Sequence, residues 1–146
     1  MDVTTSQMKK KLCLVEHKVP IKLIIMSAWT AMMVLYFYCD FLSLFKPGTL
    51  ESMINGRMGF VAVSQMSLFT AGVLMAIPTL MILVSTLAPA RLNRIFNMVA
   101  SVVYVLVNIG NLIGESWGYY YLFGLLELGV AVFIFIIALR WPKETA

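Results

Sequence analysis

Charged residues are scarce in this sequence and make up only 12% of its 146 positions. Hydrophobic residues make up 61%, and the mean hydropathy is +0.90. This composition lies outside the range of soluble domains and predicts an integral membrane protein with one domain and the lipid bilayer as its main partner. The basic residues separate apolar segments and are not interleaved with aromatics on a patch, which argues against nucleic acid as a partner.

Cysteine and histidine are almost absent. The two cysteines, Cys13 and Cys39, lie towards opposite ends of the first apolar segment and so cannot form a disulfide within the chain. The one histidine, His17, stands next to Lys18 and is interpreted as a solvated residue near the membrane surface. The sequence contains no CxxC pair, no His/Cys cluster and no recognised catalytic motif. We therefore expect no metal site and no cofactor, and the sequence favours a protein that is not an enzyme.

Four apolar segments are long enough to cross a bilayer, at residues 21–44, 62–87, 95–113 and 119–139. Thr49 is a plausible N-cap and Gly56 a plausible terminator of a short helix that would lie on the membrane surface between the first two spans. The predicted fold is all-α, a four-transmembrane-helix bundle with a short interfacial helix between helices 1 and 2. Its membrane domain covers residues 19–143, with a basic tail at 1–18 and a second tail at 144–146.

Two local features bear on how these spans pack. Pro78 lies inside the second span, where it should kink the helix and free the carbonyl of Leu74. Gly72 and Ala76 on the same span form a small-xxx-small pair that suits close contact with another helix, either in this chain or in a second copy or membrane partner. Residues 88–94 are predicted to be only a tight turn with two arginines.

The distribution of basic residues predicts the orientation. Nine lysines and arginines fall on one side of the predicted bundle, before or at the start of the first span, in the 88–94 turn and after the fourth span, whereas only Lys46 and Arg57 fall on the other side. By the positive-inside rule both termini are cytoplasmic. The predicted location is a bacterial inner (plasma) membrane, crossed several times.

A polar stripe runs along the third span. Its members recur at spacings of three and four, as one face of a helix does: Asn97, Ser101, Tyr104, Asn108, Asn111 and Glu115. In a membrane helix such a stripe is expected to face the other helices, while the apolar sides face lipid. The two members at the cytoplasmic end, Asn97 and Ser101, are interpreted as packing groups.

The candidate binding residues lie in the outer half of the predicted bilayer. Glu127 is the deepest acid, ~12 Å below the outer edge at 1.5 Å per residue. The full candidate set for a ligand, proton or cation is Glu127, Asp40, Asn108, Asn111, Tyr36, Tyr104, Tyr120 and Gln65. Asp40 lies closer to the interface, where its interpretation as a solvated residue at a helix end is favoured over a role in binding. No catalytic residue is predicted.

An ionised Glu127 would be costly in hydrocarbon, by ~2.5–3.5 kcal/mol on insertion scales. Four means of neutralisation are open: a proton, hydrogen bonds from Asn108, Tyr104 or Tyr120, a bound cation, or an inward-reaching Lys46 or Arg57. A simpler possibility has equal weight, in which Glu127 and Asn108 only join the third and fourth spans.

Several short motifs give the chain a family resemblance. They are Tyr38, the run Asp40-Phe41-Leu42-x-Leu44-x-x-Pro47-Gly48, Gly56-x-Met58-Gly59, Met75-Ala76-Ile77-Pro78, Asn93-Arg94, Glu127 and Trp141-Pro142-Lys143. With these the chain resembles a family of small bacterial four-span membrane proteins classed as a domain of unknown function. The resemblance implies a four-helix inner-membrane protein and carries no activity.

Three function classes follow, in order of preference. The first is a binding or permeation module, with an outward-facing polar pocket inside the membrane for a proton, a cation or a small amphiphile. The second is a structural or assembly subunit that docks a partner or a second copy through its small-residue faces. The third is an intramembrane enzyme that uses two carboxylates on an apolar substrate.

Overall fold

The structure is a computed structural model, which describes residues 17–59 and 61–142. Most of both predicted tails lies outside these residues, as do Cys13, four of the eleven basic residues and three of the seven acids. The elements in chain order are α1 (Ile21–Ser43), α2 (Thr49–Ile54), β1 (Arg57–Met58), β2 (Val61–Ala62), α3 (Gln65–Leu87), α4 (Ala90–Leu112) and α5 (Gly118–Leu139). In the described residues α1, α3, α4 and α5 are long and apolar enough to cross a membrane. The all-α four-span prediction is confirmed.

The four long helices form one bundle. α1 packs against both α3 and α5, and α5 packs against α4, while α3 and α4 contact each other much less. Consecutive long helices run in opposite directions, so the bundle has two ends. We call the end with residues 17–20, 88–89 and 140–142 the terminal end, and the end with residues 44–64 and 113–117 the loop end.

The polar stripe of α4 faces into the bundle, as its spacing predicts. Asn97, Ser101, Tyr104 and Asn108 are buried, whereas Val102 and Leu106 on the other faces are exposed. The stripe ends before the helix does, because Asn111 is exposed. The centre of the bundle therefore contains a line of polar side chains surrounded by apolar ones, the inverse of a soluble helical bundle.

Three aromatic rings lie together at the centre of this core. Trp29 of α1 meets Tyr104 of α4 edge to face and Tyr36 of α1 meets it at a tilt, with ring centroids 5.7 and 6.3 Å from that of Tyr104. Each ring donates a hydrogen bond to a different partner, which keeps its polar atom satisfied in an apolar surrounding. The hydroxyl of Tyr104 donates to the carbonyl of Leu74, the group that Pro78 leaves without its helical partner.

Three local features differ from the sequence predictions or were not foreseen. α4 begins at Ala90, five residues before the predicted start, because Pro89 sits directly before the first turn, where its missing N–H costs nothing. Most of the predicted 88–94 turn is therefore helix, and only Ala88 and Pro89 make the connection. The return from the interfacial helix contains a short antiparallel hairpin, with Arg57 opposite Ala62.

Candidate functional site

The terminal half of the core holds a hydrogen-bonded network around Asn97. Its Oδ1 accepts from Trp29 Nε1 at 2.6 Å and from Ser85 Oγ at 3.3 Å. Its Nδ2 donates to the backbone oxygen and to Oδ1 of Asn93, at 2.8 and 2.6 Å. Asn93 in turn donates to the carbonyl of Ser85 at 2.6 Å. Every polar atom of the Asn97 side chain is thus satisfied, and the network joins α1, α3 and α4.

Two basic residues close this end of the bundle. Lys22 donates to the carbonyls of Thr86 and Ala88, at 3.4 and 2.7 Å, where α3 ends. Arg94 Nη2 donates to the carbonyl of Leu139 at 3.3 Å, in the last turn of α5. A cation at a helix C-terminus satisfies free carbonyls and is attracted by the helix dipole. These hydrogen bonds join α1 to the end of α3 and α4 to the end of α5.

The second asparagine of the stripe has a different environment. Asn108 is fully buried, and its Oδ1 accepts one hydrogen bond, from the Tyr36 hydroxyl at 2.5 Å. Its Nδ2 is buried and has no hydrogen-bond partner among the described residues. Leaving a buried donor unpaired costs ~1–3 kcal/mol. The Asn108 amide therefore bears a cost that the fully hydrogen-bonded Asn97 amide does not.

Glu127 of α5 is 3% exposed, and its Oε1 is likewise buried with no hydrogen-bond partner among the described residues. The side chain lies nine residues into α5, ~14 Å along the helix. Unpaired polar atoms of this kind are few in folded proteins, and each calls for an explanation.

The helix registers place Glu127 level with Asn108 and Tyr36. Ser43 Oγ lies 2.9 Å from the hydroxyl of Tyr119, so Tyr36, seven residues before Ser43, is level with residue 126 on the antiparallel α5. Gly124 packs against Leu112, since a Cβ at Gly124 would lie 2.5 Å from Leu112 Cδ2. Asn108, four residues before Leu112, is therefore level with residue 128. The unpaired carboxyl oxygen and the unpaired amide occupy the same layer of the core.

An ion pair joins the two loops at the loop end, above this layer. Lys46 Nζ lies 2.9 and 3.0 Å from the two carboxylate oxygens of Glu115, and it also stands over the rings of Trp117 and Tyr120. The turn that carries Glu115 is possible because Gly114 adopts φ +82°, which favours glycine. Partial burial acts to raise the pKa of Glu115, but hydrogen bonds from the Ser116 N–H and from Lys46 outweigh it and lower that pKa.

Two of the four predicted means of neutralising Glu127 are not used in the structure. Lys46 binds Glu115 instead, and Arg57 is exposed on β1. The hydrogen-bond donors expected from the sequence are engaged elsewhere or do not reach Oε1: Tyr104 donates to Leu74, and the amide of Asn108 is itself unpaired. Of the four means, a proton and a bound cation remain.

Residues 12–146 match the profile of a family of unknown function, DUF6326. The chain belongs to this family. Comparison with curated proteins and with solved structures finds no match. The DUF6326 match spans all four long helices and the Glu127 layer, which agrees with the resemblance noted in the sequence.

In this DUF6326 protein the eight candidate residues fall into two groups. Glu127, Asn108, Tyr36 and Tyr104 are buried, and Tyr120 is half-buried in the first turn of α5, two turns from Glu127. Tyr36 and Tyr120 are both within electrostatic range of Glu127. The other three, Asp40, Asn111 and Gln65, are exposed on the surface of the chain, although Asp40 is also within electrostatic range of Glu127.

Some contributors in this DUF6326 protein were missed by sequence reasoning. Cys39 is buried one turn above Tyr36 and lies within electrostatic range of Glu127. Its spacing of three from Tyr36 is the signal that places both on one helix face. Asn93 lies four residues before Asn97 and so continues the polar stripe, a spacing signal that was not used. Trp29 and Ser85 had no such signal, because their partner Asn97 lies on another helix.

Proposed function

We propose that this protein is an intramembrane binding module that holds a proton or a small hydrogen-bonding group at Glu127, Asn108 and Tyr36. The observation that supports it best is the contrast between two asparagines on one helix. Both polar atoms of the Asn97 side chain are hydrogen-bonded, as expected of a packing residue. The Asn108 amide nitrogen has no acceptor among the described residues, and at the same level Glu127 has an unpaired carboxyl oxygen. A membrane protein retains such a layer at a cost, which favours a role beyond packing.

The chemistry of the layer favours a proton over a multivalent metal ion. It offers one carboxyl group, one amide and one phenol, and the described residues contain no group of three His, Cys, Asp or Glu side chains that could hold a metal. Calcium and similar hard cations take six or more oxygen ligands, commonly several carboxylates. A lone buried carboxyl group without a basic partner is instead most readily neutralised by a proton.

The path to this layer is proposed to start at the loop end, on the outer side of a bacterial inner membrane. The nine-to-two distribution of basic residues supports that orientation. The buried residues of α3 are Pro78, Met81 and Ser85, all in the half nearer the terminal end, so α3 covers the core least near the loop end. Asp40 and Asn111 are exposed in the half of the bundle nearer the loop end.

A proton titration of the purified protein in lipid nanodiscs tests the proposal. Glu127→Gln keeps the shape of the side chain but cannot take up a proton, so it should fold normally and bind about one proton per chain fewer than the wild type. Glu115→Gln is the matched control, because it removes a glutamate outside the layer whose lowered pKa keeps it ionised near neutral pH, so proton uptake there should not change. Equal proton uptake by Glu127→Gln and wild type, with equal stability, would leave Glu127 as a packing residue.

A second candidate, an assembly subunit, is favoured by one specific observation. Gly72 and Ala76 on α3 are exposed, and a Cβ at Gly72 would meet nothing within 4 Å. The small-xxx-small pair is therefore not used to pack this chain. If it joins two copies, Gly72→Leu should reduce dimer formation in membranes, measured by energy transfer between labelled chains, while Gly129→Leu on α5 should not.

A further inference from the structure

A groove runs along the surface between α1 and α5. It has a volume of about 650 Å³, within the ~300–1,000 Å³ of small-molecule sites. Its lining is almost entirely apolar. Small residues contribute to its lining, Ser27 and Ala28 on α1 and Gly129 on α5, and a Cβ at Gly129 would meet nothing within 4 Å.

Basic residues stand where the groove reaches the terminal end. Lys18 is exposed and directly precedes Val19, which lines the groove. Arg140 is exposed and follows the groove-lining Phe133 by seven residues, which puts both on one face of α5. The four acids that the structure describes lie nearer the loop end: Asp40, Glu51, Glu115 and Glu127. The mouth of the groove is thus positively charged.

The length of this face matches one leaflet of a bilayer. Leu125, at the far end of the groove, is fifteen residues before Arg140, which is ~22 Å along the helix. Half of a bilayer with its headgroups is ~20–22 Å. A lipid with its phosphate at Arg140 would therefore reach Leu125 with the end of its acyl chain.

We propose that the groove between α1 and α5 is a binding site for an anionic phospholipid. The acyl chain lies over Gly129 and Ala28, and the phosphate accepts hydrogen bonds from Arg140 and Lys18 at the terminal end. An arginine fork can bind phosphate oxygens in pairs, and juxtamembrane basic residues attract anionic lipid. This site is separate from the Glu127 layer and does not depend on its function.

Native mass spectrometry of the detergent-purified chain, titrated with dioleoyl phosphatidylglycerol or dioleoyl phosphatidylcholine, tests the site. The two lipids share their acyl chains, so a difference reports the headgroup. We expect tighter binding of phosphatidylglycerol, and a loss of about fivefold in its affinity for Arg140→Gln, the ratio that corresponds to ~1 kcal/mol per basic residue. Lys18→Gln should lose a similar factor.

Matched variants separate the groove from general charge attraction. Gly129→Leu should fill the groove and weaken both lipids, whereas Gly72→Leu, at an open position on α3, should weaken neither. Arg91→Gln removes an exposed charge from the same end on α4 and should have little effect. Equal binding of the two lipids, an equal loss in Arg91→Gln, or full binding by Gly129→Leu would overturn the proposal.

Discussion

The hydroxyl of Tyr104 should contribute more to the free energy of unfolding when Pro78 is present than when it is replaced. Pro78 has no N–H, so the carbonyl of Leu74 lacks its helical partner and accepts from Tyr104 instead. Tyr104→Phe keeps the ring against Trp29 and Tyr36 but leaves that carbonyl unpaired. Hydrogen bonds between membrane helices average ~0.6 kcal/mol with a maximum of ~1.7, and an unpaired buried group adds to the loss. We expect a destabilisation of ~1.5 kcal/mol.

A double-mutant cycle isolates this interaction. Pro78→Ala introduces an N–H that can bond to the Leu74 carbonyl, so Tyr104→Phe in that background should cost only ~0.5 kcal/mol, a coupling of ~1 kcal/mol. The assay is reversible unfolding in mixed detergent micelles, followed by circular dichroism. Tyr38→Phe, at an exposed position, is the control for loss of a tyrosine hydroxyl. The same cost for Tyr104→Phe in both backgrounds would refute the reasoning.

Three further predictions concern packing, pH and close contact. Asn97→Leu should destabilise the bundle by ~1–2 kcal/mol because it leaves Trp29 Nε1 without its acceptor and Asn93 Oδ1 without its donor, while Val102→Leu on the exposed face should change little in the same unfolding assay. The pKa of Glu115 is lowered in the folded chain, so its ion pair with Lys46 should contribute up to ~1 kcal/mol of stability above the unfolded-state pKa of ~4.3. This contribution should be lost as the pH falls through the lower folded-state pKa of Glu115. In a measurement of unfolding free energy against pH, Glu115→Gln should not show this loss. Gly124→Ala should destabilise the chain because its Cβ would meet Leu112, and adding Leu112→Ala should recover part of the loss; independent effects of the two changes would contradict the close contact.

The helical spacing of polar residues explains most of what the sequence could predict. The stripe from Asn97 to Asn108 faces inward because a membrane has no water for its amides and hydroxyls, so only the protein interior can satisfy them. The same reasoning predicted a free carbonyl at Leu74 from Pro78 alone. Both predictions depend on chemistry within a single helix, which the sequence displays directly.

Contacts between helices were harder to predict, since their registers and rotations are not written in any one segment. Lys46 was considered as a partner for Glu127, yet it binds Glu115, which Gly114 brings back over the loop end. Asp40 was assigned to the pocket by depth, but its rotation on α1 leaves it exposed. The depth of a residue along a span follows from counting residues, whereas the side of the helix that faces the core depends on how neighbouring helices pack.

The state of Glu127 tests the central proposal most directly. Infrared spectroscopy of the protein in lipid, in H₂O and after transfer to D₂O, records the carbonyl stretch of a protonated carboxyl group, and the band that is absent in Glu127→Gln belongs to this residue. The proposal predicts a protonated Glu127 near neutral pH whose band shifts in D₂O while the fold stays intact, because a binding site must exchange its proton. A carboxylate at neutral pH, or a protonated band that does not shift until the protein unfolds, would contradict it.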